Sequence, residues 1–217
     1  MDIKLDPVEA RVLGSLIEKE MATPEYYPLS LNALTNACNQ KSNRDPVLNL
    51  GESEVQAALD RLVKMNLASR RTDFGARVAK YGHRLAGTLT RSYDFGAREL
   101  AILCELLVRG PQTPGELRAH AGRLHAMDDV SDAEHTLARL RDYAHGPYVA
   151  ELPRQPGRRE SRWACLFAEV PETVTTSDET PARADATQAR LQALEEKVEA
   201  LAQEVAGLRA RLDEGVG

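Results

Sequence analysis

Apolar residues recur at helical spacing near the start of the chain. Val8, Val12, Leu13, Leu16 and Ile17 fall on one helical face. Asp6 precedes them, with Pro7 at the first helical position and Glu9 at the third, the pattern of a capping box. A second face, Leu100, Leu103, Cys104 and Leu107, follows later. Leu13 and Leu103 are 90 residues apart, and so are Thr23-Pro24 and Thr113-Pro114. Further on, "SEVQAALDRLVKMNLASR" from Ser53 resembles "SDAEHTLARLRDYAHGPYVAEL" from Ser131, at an offset of 78. The chain therefore contains a repeat. Its first copy carries about twelve extra residues between the second and third segments.

Each copy predicts the same elements. A short second helix is capped by Ser30 or Thr113. The third helix is expected to start at Ser53 with Gln56 at its third position, or at Ser131 with Glu134 there. Its apolar stripe is Val55, Leu59 and Leu62, or Leu137 and Leu140. Two β-like segments follow, 67–72 and 77–85 in the first copy, 148–152 and 161–167 in the second. Gly75 and Gly157 supply the turns. Three helices and a hairpin make a winged helix-turn-helix unit. The expected architecture is mainly α (α+β), with winged-helix domains over 1–90 and 91–168; the plain alternative is a small α+β domain without a ligand.

The rest of the chain differs. Residues 169–180 are polar and Thr-rich and read as a linker. Over 181–214 a helix is expected in which Leu191, Leu194, Val198, Leu201, Val205, Leu208 and Leu212 alternate spacings of three and four. Val at a and Leu at d favour a parallel coiled-coil homodimer. The alternative is an amphipathic helix folded back on its own domains.

Composition narrows the picture. With 42% hydrophobic residues the chain can bury two small cores, and with 5% aromatics those cores must be mainly Leu, Val and Ala. Cys38, Cys104 and Cys165 are odd in number and far apart, which fits neither a disulfide set nor a zinc spacing and points to a reducing cytoplasm. No signal peptide and no membrane-length apolar run is read. The net charge of −5 comes from residues 171–217, which hold 5 basic against 10 acidic side chains. Local patches therefore carry any argument about partners.

The β segments are basic. Residues 68–85 contain Arg70, Arg71, Arg77, Lys80 and Arg84 against Asp73; residues 148–167 contain Arg154, Arg158, Arg159 and Arg162 against Glu151 and Glu160. Arginines on a hairpin reach phosphates or a narrow minor groove, or they are a solvated turn. The third helices add Arg61 and Lys64, but also Glu52, Glu54, Asp60, Asp132 and Glu134, whose carboxylates repel phosphate. The inserted stretch "NACNQKSNRDPVLNL" holds Lys41, Asn43 and Arg44. Either Lys41 and Arg44 point outward to a partner, or the stretch is a self-bonded loop that packs Val47, Leu48 and Leu50 on the core. His120, His125, His135 and His145 form no helical ligand pair, and no phosphate-loop, nucleophile-elbow or zincin motif occurs. No cofactor, metal or catalysis is expected.

"LDPVEARVLGSLIEKEMATPEYYPLSLNAL", "NACNQKSNRDPV" and "YGHRL" resemble the YceH-like family of uncharacterised bacterial proteins over residues 1 to about 168. The resemblance implies a tandem winged-helix fold and a cytoplasmic bacterial protein, often with a coiled-coil tail. It implies no activity and no site residues. The expected function is non-enzymatic duplex-DNA binding through basic wings, as in a transcriptional regulator. The alternative is a scaffold whose winged helices dock a protein partner.

Overall fold

In the computed structural model, residues 3–72, 78–86 and 93–169 are described. They form a mixed α/β fold in which one order of elements occurs twice. The first repeat has α1 (Pro7–Ala22), α2 (Leu31–Cys38), α3 (Glu52–Lys64), β1 (Ala68–Arg71) and β2 (Lys80–His83). The second has α4 (Ala97–Arg109), α5 (Pro114–Ala121), α6 (Val130–Arg141), β3 (Val149–Glu151) and β4 (Trp163–Cys165). A 3₁₀ turn, Pro24–Tyr26, follows α1. Among the described residues no helix is long and apolar enough to cross a membrane. The heptad residues and the tail from 170 onward lie outside the described residues, as does Arg77.

Capping explains where several helices begin. The Asp6 carboxylate accepts from the N–H of Val8 and of Glu9, both at 2.8 Å, and Glu9 accepts in return from the N–H of Asp6. Ser30 caps α2, and Thr113 with Glu116 caps α5. The third helices start earlier than the sequence predicts. α3 begins after Gly51, whose N–H donates to Glu54 at 2.8 Å. α6 begins after Asp129, whose carboxylate accepts from the N–H of Asp132 at 3.1 Å. In each case a carboxylate one or two residues from Ser53 or Ser131 takes up the backbone N–H at the helix start, where a serine hydroxyl was expected.

Each hairpin is antiparallel, with Ala68 opposite His83 and Val149 opposite Cys165. In both repeats the residue just before the second helix's N-cap adds a single bridge to the hairpin. Leu29 pairs with Tyr81, and Gln112 pairs with Trp163.

The repeats are joined by exchange. The N–H of Leu5, ahead of α1, donates to Phe167 of the second repeat at 2.7 Å. The N–H of Phe95, ahead of α4, donates to Leu85 of the first repeat at 3.1 Å. Leu5 and Phe95 occupy equivalent places in the repeat. Each repeat thus lends its leading segment to the other's hairpin. Gly14 and Cys104, also equivalent, touch each other: the Cys104 thiol donates to the Gly14 carbonyl at 3.4 Å. Equivalent residues must meet where an axis exchanges two copies, so α1 and α4 cross on a pseudo-two-fold axis.

That crossing explains the core. A Cβ on Gly14 would lie 2.6 Å from Val108 Cγ1, so glycine permits the approach. Residues 9–18 of α1 and 99–108 of α4 are buried all round, including Glu9, Arg11, Glu18, Glu99 and Glu105. A one-sided stripe was expected; a helix packed on both sides has no solvated face. One apolar cluster runs from Leu5 through α1 and α4 to Phe167.

Candidate nucleic-acid interface

The inserted loop enters this core. Asn39 closes it at both ends: its amide donates to the Leu50 carbonyl and accepts from the Leu50 N–H, each at 2.8 Å. Arg44 does not point outward as expected, for its side chain is fully buried. Its guanidinium donates to both carboxylate oxygens of Glu18, to the Ala37 carbonyl at 2.9 Å and to the Asn43 carbonyl at 2.8 Å. A guanidinium with five donors needs that many acceptors to be buried, and the loop supplies them. Val47 does not anchor the loop either: it is 55% exposed, while Leu50 packs on the core.

The ion pairs continue into the second repeat. Arg123, from the connection between α5 and α6, bonds Glu18 at 2.7 Å and Glu105 at 2.6 Å. Arg109 lies 3.1 Å from Glu105 and donates to the Asn43 side chain at 2.7 Å. Arg44, Glu18, Arg123, Glu105, Arg109 and Asn43 thus close a ring. Burial pushes the Glu18 pKa up, but the bonds and charges of Arg44 and Arg123 outweigh it and hold the carboxyl below its ordinary value. Asn43 takes φ 57°, a conformation that Asn tolerates better than most residues. Asn43 and Arg44 are therefore braces, and of the inserted loop's basic pair only Lys41 faces solvent.

Arg61 is also committed. It bonds the α1 cap through Asp6 at 2.9 Å and through Glu9. Lys64 is exposed at the end of α3.

The hairpins differ from the body. In the body Arg98, Arg139 and Arg141 pair with carboxylates and Arg118 donates to the Asp128 carbonyl; on the second hairpin Arg162 lies 3.7 Å from Glu116. Arg11 donates to three carbonyls. Arg70, Arg71, Arg154, Arg158 and Arg159 are exposed and make no ion pair with a described residue. Arg71 stands directly opposite Lys80 across the first hairpin. Like charges so placed destabilise a hairpin. The second hairpin is more mixed. Arg154 and Arg159 share a cavity of about 370 Å³ with Glu134, Glu151 and Glu160.

The sequence reading missed Glu18, Glu105, Arg109 and Arg123. A signal for part of the ring was present. Arg11, Gly14, Ser15 and Glu18 form a second helical stripe of small and charged residues beside the apolar one, echoed by Ala101, Cys104, Glu105 and Val108. Among the described residues no group of three or more His, Cys, Asp or Glu is placed to hold a metal.

A family model described as "Protein of unknown function, DUF480" matches residues 5–158. The chain belongs to this family. A UPF0502 protein of Aeromonas hydrophila is 52% identical over 182 residues, 84% of this chain and 83% of its own length. One of Shewanella halifaxensis is 52% identical over 180 residues, 83% of this chain and 82% of its own. The DUF480 match covers the first repeat, the inserted loop, all of the ring described above, and the second repeat as far as residue 158, short of β4.

Proposed function

We propose that this DUF480 protein is a non-enzymatic pair of winged helix-turn-helix units that binds duplex DNA, chiefly through phosphates and chiefly with its first hairpin. The observation that carries the reading is Arg71 facing Lys80 beside Arg70, three exposed cations without a carboxylate among the described residues. A phosphate between two strands of a hairpin would turn that repulsion into attraction. The order of three helices and a hairpin supports a winged unit, as does the extra bridge at Leu29 and at Gln112. The exposed faces of α3 and α6 carry Glu52, Glu54, Asp60 and Glu134, which oppose insertion into a major groove. Binding of low sequence preference and steep salt dependence follows. Two copies joined through the heptads from Leu191 to Leu212 would double the hairpins on offer.

The test is a titration with random duplex DNA at several salt concentrations. Each phosphate neutralised contributes a slope of about −0.9 to log affinity against log salt. Arg70→Ala with Arg71→Ala should weaken binding on every sequence and flatten the slope by about two phosphates. Equal affinity and slope in the double variant and the parent would sink the proposal. A protein-docking role is the second reading, favoured by the exposed carboxylates Glu52, Glu54 and Asp60 of α3 and by Val63, which is 37% exposed. It would be preferred if the parent bound no duplex at low salt.

A further inference from the structure

A cavity of about 240 Å³ lies where the two repeats meet. Its wall is largely apolar: Ala10 of α1, Pro46 and Leu48 of the inserted loop, Leu106 and Leu107 of α4, and Ala164 of β4. Three charged side chains interrupt that wall: the exposed Asp45 and Glu169, and the buried Arg11. Arg11 is 3% exposed. Its terminal nitrogens donate only to the carbonyls of Cys38, Pro46 and Val108, at 3.1, 2.6 and 3.4 Å. Its Nε has no partner. No carboxylate lies within ion-pair distance of it among the described residues; burial, and next the charge of Arg44, lower its pKa, which Asp45 and Glu18, farther off, only partly offset. The neighbouring ring does not neutralise it. Arg44, Arg109 and Arg123 already outnumber Glu18 and Glu105.

A buried cation without a carboxylate in ion-pair contact is costly. Placed in the wall of an apolar cavity, it marks the chemistry that would be held there. We propose that this cavity binds a small monocarboxylate with an apolar body, its carboxylate at Arg11. A 150 Å³ apolar cavity accommodates benzene. The larger space here suits an aromatic ring bearing one carboxylate, or a chain of about six to eight carbons. Asp45 and Glu169 stand exposed at the lip. A second carboxylate on the ligand would face them, so dicarboxylates are disfavoured. The walls come from both repeats and from the inserted loop, so the ligand would be clasped by the elements that fix the two repeats together.

The test uses the full-length chain with benzoate and octanoate as probes, followed by calorimetry and by thermal unfolding. Both acids should bind saturably and raise the melting temperature. Benzyl alcohol and octanol, of like shape without the charge, should bind at least about tenfold more weakly, and phthalate should bind more weakly than benzoate. Ala164→Leu fills the space while leaving Arg11 intact, and should abolish binding with an unchanged circular dichroism spectrum. Ala10→Val serves if the first variant does not fold. Arg11→Met should erase the preference for acid over alcohol. Equal binding of acid and alcohol by the parent would overturn the proposal. So would acid binding that survives the cavity-filling variants, or the lack of any shift up to the solubility limit of either acid.

Discussion

Replacing Arg44 by Ala tests the reading of the inserted loop. The loop's basic pair looks alike in the sequence, yet Lys41 is exposed and Arg44 is fully buried. Removing one member of a buried ion pair costs about 3–5 kcal/mol, because the other charge is left behind. Glu18 keeps Arg123 at 2.7 Å, so it is not orphaned. That places the cost near the lower end, about 3 kcal/mol, with the lost bonds to the Ala37 and Asn43 carbonyls included. Against a total stability of roughly 5–15 kcal/mol this is large. Lys41→Ala should stay within about 0.5 kcal/mol of the parent. Urea unfolding followed by circular dichroism measures both. A double change, Arg44→Met with Glu18→Leu, should cost less than the sum of the singles, since neither charge then remains unpaired. Arg44→Ala unfolding at the same urea concentration as Lys41→Ala would refute the brace.

The same network predicts a pH effect. Glu18 has a folded pKa below its ordinary 4.5, so its contribution is complete above that value and is lost as pH falls through the folded pKa; Glu18→Gln should flatten the acid limb of the stability curve below about pH 4.5, as read from urea midpoints. Gly14→Val should destabilise by about 1–3 kcal/mol in the same assay, because its Cβ would already sit 2.6 Å from Val108. Burial raises the pKa of Cys38, raises that of Cys104 further, and takes Cys165 to about 12. Iodoacetamide at pH 8 should therefore leave all three thiols of the native chain unmodified, as mass spectrometry would report, and label them once urea unfolds it.

The repeat, the order of elements and the caps at Asp6, Ser30 and Thr113 were legible because they are local: spacing and capping act within a turn or two. The starts of α3 and α6 were misread because Gly51 with Glu54, and Asp129 with Asp132, outcompete the serines that follow. The fate of Arg44 was not legible in the loop itself. Its partner Glu18 lies 26 residues away, on a helix from which only the apolar stripe was read. What converts that face into an interior is α4, which approaches through Gly14. Sequence spacing describes one helix at a time. It does not say that two such helices lie back to back.

The exchange between repeats bears directly on how the hairpins could act. A chain that carried two independent units on a linker would place its hairpins by chance, and the second contact would depend on linker length. Here each leading segment is bonded to the opposite hairpin, at 2.7 Å from Leu5 and at 3.1 Å from Phe95. The ring from Arg44 to Arg109 then locks the inserted loop across the crossing. The two hairpins are thereby held at a fixed separation with no linker entropy to overcome. Such a body gains from a second contact only where a ligand matches that separation. A duplex presents phosphates at regular intervals along its axis, and so offers a match in many registers. On the proposed DNA-binding reading, sequence preference would be weak and avidity high. This is the behaviour that Arg70, Arg71 and Lys80, uncommitted within the described fold, are suited to provide.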